Sequence, residues 1–511
     1  MKLRSIIIVG GGSAGFMTAA TILSQLPKVK VTLIESPNVK TVGVGESTIT
    51  GIRHWTKLLG IEDKDFLKAT DGTYKLSIKF TDFYKKGEAF HYPFGEPDVN
   101  GNTAGMNDWW FKKFSDPSIP YTDYADSLFS CMALVNQNKL FYNENRTMPF
   151  SFDFDTAYHF DATKFGIWLR DEYCKPKGLV HIKEDIKTIE QDEDGIKSLN
   201  KKHKADLYID CTGFKSLLLG QTMKEPFESL EDLLPNNSAL ATRIPYKDKE
   251  KELVPYTNCT AIENGWVWNI PLWSRVGTGY VYSDHFVSDD KAAEQLEKHL
   301  GIKNLELNKI KIRTGIHKRL WVKNVCAIGL SAGFIEPLES NGLYTVHTFL
   351  LYFLRNVQRE RISQWDKDNF SLACRYEFRT FAEFVALHYA LSHRDETPYW
   401  KHILNKSWDE SLINLKGTSY HGMFSAAMQR KNNFHYHEKG GFHCIAAGMH
   451  YPPTEMSTLK YHNQYTDEQW FDKWKGGNRY ITKKRNYWNK VAERLPTYMD
   501  FLKENIYTDE K

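Results

Sequence analysis

The residue types and spacings that could do chemistry fall in a few short stretches. The first is Gly10-Gly11-Gly12-Ser13-Ala14-Gly15, with glycines at the Gly-x-Gly-x-x-Gly spacing between an apolar run at 6–9 and the start of a helix. Past it, Glu35 ends a second apolar run at 29–34. This spacing predicts one βαβ unit that binds a dinucleotide. Gly10 makes the tight turn, Gly12 lets the backbone approach a pyrophosphate, and Gly15 lets helix and strand pack closely. The helix start at Ser13 and Ala14 faces the phosphate charge, and Glu35 accepts from a ribose hydroxyl. A glycine fingerprint alone is weak; the strand before it, the helix after it and the acid at this distance carry the reading.

A second stretch, Tyr74-Lys75-Leu76-Ser77-Ile78-Lys79-Phe80, reads as a strand. Tyr74, Leu76, Ile78 and Phe80 share one face, and Lys75, Ser77 and Lys79 share the other. A lysine on such a face is in solvent by default, and the pattern by itself makes neither lysine catalytic. A third stretch follows an apolar run at 325–328. It is Gly329-Leu330-Ser331-Ala332-Gly333-Phe334-Ile335-Glu336-Pro337-Leu338-Glu339-Ser340-Asn341-Gly342. A helix starting near Asn341 would turn free N–H groups toward an anion. Glu339 stands just ahead of that helix, either as a working acid or as one that the helix dipole favours. Trp266 and Trp268, two residues apart, face one side of a strand, and alone they suggest a hydrophobic floor.

Other elements must position these residues. Gly43, Gly45, Glu46, Ser47 and Thr48 form a polar loop before a helix at 49–59, either cofactor-facing or a plain turn. A strand at 205–209 ends in Asp210-Cys211-Thr212-Gly213. That puts small polar groups at the carboxyl edge of a sheet, where open α/β folds bind ligands, although a tight turn reads the same way. Runs at 241–245, 257–263 and 276–282 predict antiparallel strands of a second sheet. Residues 88–150 are rich in Pro, Gly, Asn and aromatics, which suits an insertion over a pocket. From about 342 the chain reads as mainly helical, and 478–505 as a basic amphipathic helix docked on the rest.

Bulk properties narrow the classes. A chain of 511 residues is enough for two or three domains. A net charge of +4 implies no nucleic-acid field. Apolar residues make up 41% and charged residues 25%, a soluble profile. The seven cysteines show no metal spacing, so no metal is expected and reduced thiols in a cytoplasmic setting are. The apolar run after Lys2 and Arg4 is too short for a signal peptide, and no later run has membrane-spanning length.

Taken together these stretches resemble the flavin-dependent halogenases of the tryptophan-halogenase type. The likeness covers most of the chain. It is most specific in Gly265-Trp266-Val267-Trp268-Asn269-Ile270-Pro271, which matches the family's Gly-Trp-x-Trp-x-Ile-Pro signature, and is echoed in Leu387-His388-Tyr389 and Arg394-Asp395-Glu396-Thr397-Pro398-Tyr399-Trp400. The resemblance implies an α/β fold: a Rossmann-like FAD-binding domain of the flavin-monooxygenase type with an added antiparallel sheet at 1–341, and a helical domain at 342–511 over the substrate site. It implies FAD held by Gly10, Gly12, Ser13, Ala14, Gly15, Glu35, Gly45, Glu46, Ser47, Asp210, Gly329 and Ile335. Trp266, Trp268 and Ser331 line or wall the passage from the flavin. Halide, whether chloride, bromide or iodide, lies at the N–H groups of Ser340, Asn341 and Gly342. Reduced FAD (FADH2), dioxygen and halide yield hypohalous acid, which passes to Lys75, with Glu339 as the partner acid and Lys79 at the usually basic position further along the strand. A separate flavin reductase supplies the reduced flavin, and a homo-oligomer is left open. The family's C-terminal tryptophan clamp is only loosely echoed at 440–453, so the expected substrate is an electron-rich phenol, indole or pyrrole. The competing expectation is a flavin-dependent aromatic hydroxylase, which would need its own nicotinamide site; no second glycine fingerprint is present.

Overall fold

The computed structural model describes residues 2–39, 45–98, 109–110, 112–113, 116–358, 361–408, 441–451 and 466–508. Gly43 and Val44 of the polar loop and the ends of the 440–453 segment lie outside these residues, as do the side chains of Phe442 and His443. The first layer is a six-stranded sheet in the order Trp321–Val322, Val325–Ala327, Leu207–Asp210, Ser5–Val9, Lys30–Glu35 and Val180–Lys183. All its pairings are parallel except that between Trp321–Val322 and Val325–Ala327. Ile6, Ile8 and Leu33 are fully buried, as a parallel sheet covered on both faces requires. The helix Ser13–Gln25 returns from the first strand over this sheet.

A seven-stranded mixed sheet forms the second layer, in the order Asn308–Lys311, Ser238–Ile244, Val276–Tyr282, Gly265–Pro271, Tyr256–Ile262, Ser77–Thr81 and Ala89–Pro93. Only the pairing of Ser77–Thr81 with Tyr256–Ile262 is parallel. Against this second sheet packs a three-stranded one, with Ala157–Asp161 flanked by Gly45–Ser47 and Thr73–Lys75. The single strand expected over 74–80 is therefore two. The break is at Leu76, whose N–H donates to Pro255 O at 2.7 Å and whose carbonyl accepts from Phe94 at 2.8 Å. Tyr74 and Lys75 pair into one sheet, and Ser77 onward into another.

The C-terminal part is helical: Gly342–Val357, Gln364–Ala390, Pro398–Asn405, Gly441–Gly448, Asp467–Glu493 and Tyr498–Asn505. A capping box at Ser363 and Asp366 starts the long central helix. One buried cluster runs from Ile6 in the first strand to Tyr507 past the last helix. The last helix docks by polar contacts that reach back to the small central sheet. Tyr498 OH donates to Tyr74 O at 2.5 Å, and Tyr507 OH to Gly72 O at 2.9 Å. Tyr507 also stacks on Trp273 with ring centroids 4.2 Å apart. Among the described residues no helix is long and apolar enough to cross a membrane.

Candidate functional site

The glycine loop closes as its spacing predicts, for steric reasons. A Cβ on Gly10 would lie 2.1 Å from Cys211 O, one on Gly11 1.8 Å from a Glu35 carboxylate oxygen, and one on Gly15 1.9 Å from Gly10 O. Gly10 also needs a φ of +119°, a region that side chains rarely enter. Gly12 differs: its Cβ would meet nothing within 4 Å. Gly12 is also the N-cap of Ser13–Gln25, with no side chain capping the helix, so the first N–H groups keep their donors for a ligand. A bare helix start beside open space fits the diphosphate of FAD. Glu35 lies beside this opening, with Oε1 accepting from His181 Nε2 at 2.9 Å. Gly329 has a φ of +76° and packs on Ala14, where a Cβ would come within 2.7 Å.

Two residues of this group point inward. Asp210 accepts from the Thr212 N–H and hydroxyl at 3.0 and 2.7 Å, and from the N–H groups of Leu218 and Leu219 at 2.7 and 2.8 Å. Its carboxylate braces the loop after its strand. The Ser331 hydroxyl donates to Asp210 O and Ile328 O, tying two strand ends together. Ile335 is buried, and its carbonyl accepts from Asn341 Nδ2 at 3.3 Å.

Lys75 overturns its solvent default. It is 0% exposed. Nζ donates to Thr48 O at 3.0 Å and to Ser340 Oγ at 2.8 Å, and it lies 5.0 Å from the Phe94 ring centroid. Burial lowers the ammonium from its usual 10.5 to about 7, while electrostatic interaction with Cys259 and Glu339 pulls the other way. Lys79, by contrast, keeps some exposure and stands 6.0 Å over Tyr256.

A chain of hydroxyls runs on from Lys75. Ser340 Oγ is 3.0 Å from Ser47 Oγ, which is 2.6 Å from Thr257 Oγ1; Thr257 is 2.9 Å from His159 Nε2. His159 Nδ1 is 3.3 Å from Thr73 Oγ1, which donates to Pro271 O at 2.7 Å. The carbonyl at the far end can only accept, and Lys75 at the near end donates. Every bond between them can therefore point one way with neutral His159. Burial holds His159 well below its usual value, and the Lys75 charge adds to that. The chain orients Lys75 without offering its proton an outlet.

Glu339 lies in the turn Pro337–Glu339, and Ser340 after it takes a left-handed φ of 59°. The Ser340 N–H donates to Pro337 O at 2.9 Å. The N–H groups of Asn341 and Gly342 open the helix Gly342–Val357, ahead of its first intrahelical bonds. A Cβ on Gly342 would stand 3.5 Å from Glu46 Oε2, so this helix start faces the Glu46 carboxyl, which burial pushes up to about 7. Glu339 is 1% exposed and 2.9 Å from His388 Nε2. Burial raises its carboxyl, with His388 and Lys75 opposing. Trp266 and Trp268 stand edge to face with centroids 6.2 Å apart. Trp266 Nε1 donates to Glu336 Oε2 at 3.1 Å, and Asn236 and Tyr389 donate to the same oxygen at 2.8 and 3.0 Å.

Beyond Phe94 opens a cavity of about 1350 Å³, lined among others by Thr50, Tyr92, Phe94, Met148, Phe150 and Phe152. Sequence reading did not single out Cys259, Thr257, His159 or Tyr498 as parts of this site; it placed Thr48 in the polar loop and His388 in a family echo, with no role for either side chain. A polar residue inside an apolar run, as at His388 within 384–391, is the one signal they leave.

A family model for tryptophan halogenase matches residues 5–464. A tryptophan 6-halogenase of Streptomyces albogriseolus, ThaL, is 29% identical over 98% of this chain and 98% of its own. The solved structure of VirX1 superposes with a TM-score of 0.88 at 37% identity, covering 99% of this chain and 100% of the other. A flavin-dependent halogenase from Brevundimonas sp. BAL3, BrvH, gives 0.85 at 29% identity, with 98% and 99% covered.

Proposed function

The chain belongs to the tryptophan halogenase family, flavin-dependent oxidoreductases that halogenate electron-rich aromatics, and from that premise we propose that Lys75 and Glu339 carry the halogen transfer. The single observation behind this is the buried Lys75 ammonium, held by Thr48 O and Ser340 Oγ at the Phe94 edge of the cavity. FAD, supplied reduced by a flavin reductase, provides with dioxygen the oxidation of halide to hypohalous acid. The glycine loop and Glu35 hold it, Gly329 closes the packing around Ala14, and Asp210 and Ser331 brace the strand ends beneath. The helix start at Asn341 and Gly342 is the halide site; Ser340 stands beside it, with its N–H on Pro337 O and its hydroxyl between Lys75 and Ser47.

Near pH 7 Lys75 is present in comparable amounts as ammonium and amine. The ammonium donates to the oxygen of hypohalous acid and makes the halogen more electrophilic; the amine can take the halogen itself. Glu339 receives the ring proton. Trp266, fixed through its indole N–H by Glu336, keeps the aromatic away from the flavin side. A cavity of about 1350 Å³ exceeds the range of roughly 300–1,000 Å³ usual for small-ligand sites. The substrate is an electron-rich aromatic of the indole, phenol or pyrrole type, for which this cavity has room.

The test is incubation with a flavin reductase, NADH, FAD, each halide in turn and an aromatic panel graded by size, read by mass spectrometry. Halogenated product that requires Lys75 and Glu339 is expected. Oxygenated product without halogen, or full halogenation by Lys75→Ala, would refute the reading.

A further inference from the structure

His388 lies near the end of the helix Gln364–Ala390 and is 0% exposed. Its Nδ1 is 3.2 Å from Val385 O. A carbonyl only accepts, so Nδ1 carries a proton. On the other side Nε2 is 2.9 Å from Glu339 Oε1. The Glu339–His388 pair thus holds one further proton, either on Nε2 beside a carboxylate or on Glu339 beside a neutral ring. Among the described residues neither Glu339 oxygen nor His388 Nε2 has a hydrogen bond of good geometry, so the 2.9 Å contact is an ion-pair approach. His388 stands against Oε1, and Oε2 is left for a reactant.

The surroundings decide where that proton lies. Lys75, Cys259, Tyr92 and Cys444 face Glu339 from four other elements. The two thiols and the phenol are pushed up by burial and stay neutral, so Lys75 is the cation among them. Glu336, whose carboxyl burial raises while Asn236, Trp266, Tyr389 and His388 oppose, also faces His388. The ring of His388 packs at 4.5 Å from Phe80, 5.9 Å from Phe384 and 6.2 Å from Phe83. Aromatic neighbours fix its plane and tolerate a cation.

We propose that His388 is the positioning residue that keeps Glu339 ionised, as imidazolium to its carboxylate, so that Oε2 can accept the ring proton. This rests on the reading of Glu339 given above. The step balances. The halogen–oxygen bond breaks with its electrons on oxygen, and a carbon–halogen bond forms. The leaving hydroxide takes a proton from the Lys75 ammonium and becomes water. The ring C–H electron pair returns to the ring, and its proton goes to Glu339. Passing one proton from Glu339 back to the Lys75 amine restores the start.

The test uses the full chain with flavin reductase, NADH, FAD, bromide and indole as probe. For His388→Asn, kcat at pH 7 is expected to fall at least about tenfold, and the acid limb of the profile to move up by about one pH unit, because Glu339 must then ionise without its partner. Indole KM and FAD affinity stay unchanged. Ring-deuterated indole shows an isotope effect in His388→Asn and none in the parent protein. His388→Gln, which keeps an N–H donor but cannot carry a charge, falls between. An infrared band of a protonated carboxyl appears in His388→Asn and disappears from His388→Asn combined with Glu339→Gln; the band needs no turnover, and His388→Gln gives it in weaker form should the asparagine variant not fold. A rate within about twofold of the parent and an unmoved acid limb overturn the proposal, as does a missing band. Full activity in Glu339→Gln would instead refute the reading of Glu339; an inactive Glu339→Gln beside a parent-like His388→Asn would refute only the role of His388.

Discussion

Replacing Lys75 by methionine should abolish halogenation and stabilise the protein at the same time. The side chain is fully buried, and its ammonium falls from 10.5 to about 7. At about 1.4 kcal/mol for each pH unit, that gap makes burying the charge cost about 5 kcal/mol. Methionine fills a similar volume without charge. It leaves Thr48 O and Ser340 Oγ without their donor, which costs about 1–2 kcal/mol because Ser340 keeps Ser47. The net gain at pH 7 is about 3 kcal/mol. Its pH dependence is the stricter check. Between about 7 and 10.5 the unfolded chain holds the Lys75 proton and the folded chain does not, so the parent protein gains stability as pH rises through that window. The advantage of Lys75→Met should be complete well below pH 7 and shrink by about 2.3 kcal/mol between pH 7 and pH 9. Urea unfolding of both proteins at the two pH values measures it, alongside bromination of indole at pH 7. A methionine variant less stable than the parent at pH 7, or an advantage that does not change with pH, would refute a desolvated ammonium at this position. Retained bromination would refute its part in the chemistry.

Gly12→Ala should fold with an unchanged melting temperature and lose FAD affinity by about tenfold or more, whereas Gly10→Ala, whose Cβ would clash with Cys211 O at 2.1 Å, should lose stability itself; thermal melts and flavin fluorescence titration separate the two. Halide KM should rise as pH climbs through about 7, because the Glu46 carboxylate then repels halide at the Gly342 helix start, and Glu46→Gln should flatten that rise in a halide titration across pH. Tyr498→Phe should lower stability by about 1 kcal/mol and reduce kcat more than FAD affinity, since its hydroxyl holds Tyr74 O next to Lys75; urea unfolding and steady-state kinetics show both effects.

Which parts of the site were legible follows from how local their causes are. The glycine loop was, because its demands come from its own backbone and one neighbouring strand: Gly10 and Gly15 pack against Cys211 O and Gly10 O. The second sheet was legible to within a few residues from alternating apolar runs, as at Val276–Tyr282. Asp210 was found as a polar residue at the sheet edge and Ser331 through the family resemblance, but their bonds run inward, to Leu218 and Leu219 and to Asp210 O. Glu339 read equally well as an acid suited to a helix start. Its difference lies in His388, far along the chain on another helix.

By itself the sequence determined the backbone: the turn that only glycines permit, the strand periods, the helix starts and the signature tryptophans. These depend on φ, ψ and neighbours a few residues away. Only the tertiary structure decided the state of the charges. Lys75 has a side chain that normally seeks water. It is dry because the strand breaks at Leu76 and because Thr48, Phe94, Cys259 and Ser340 arrive from four separate segments. Desolvation is a property of the assembled surroundings, so the feature that makes this lysine reactive is written in no single stretch of the chain.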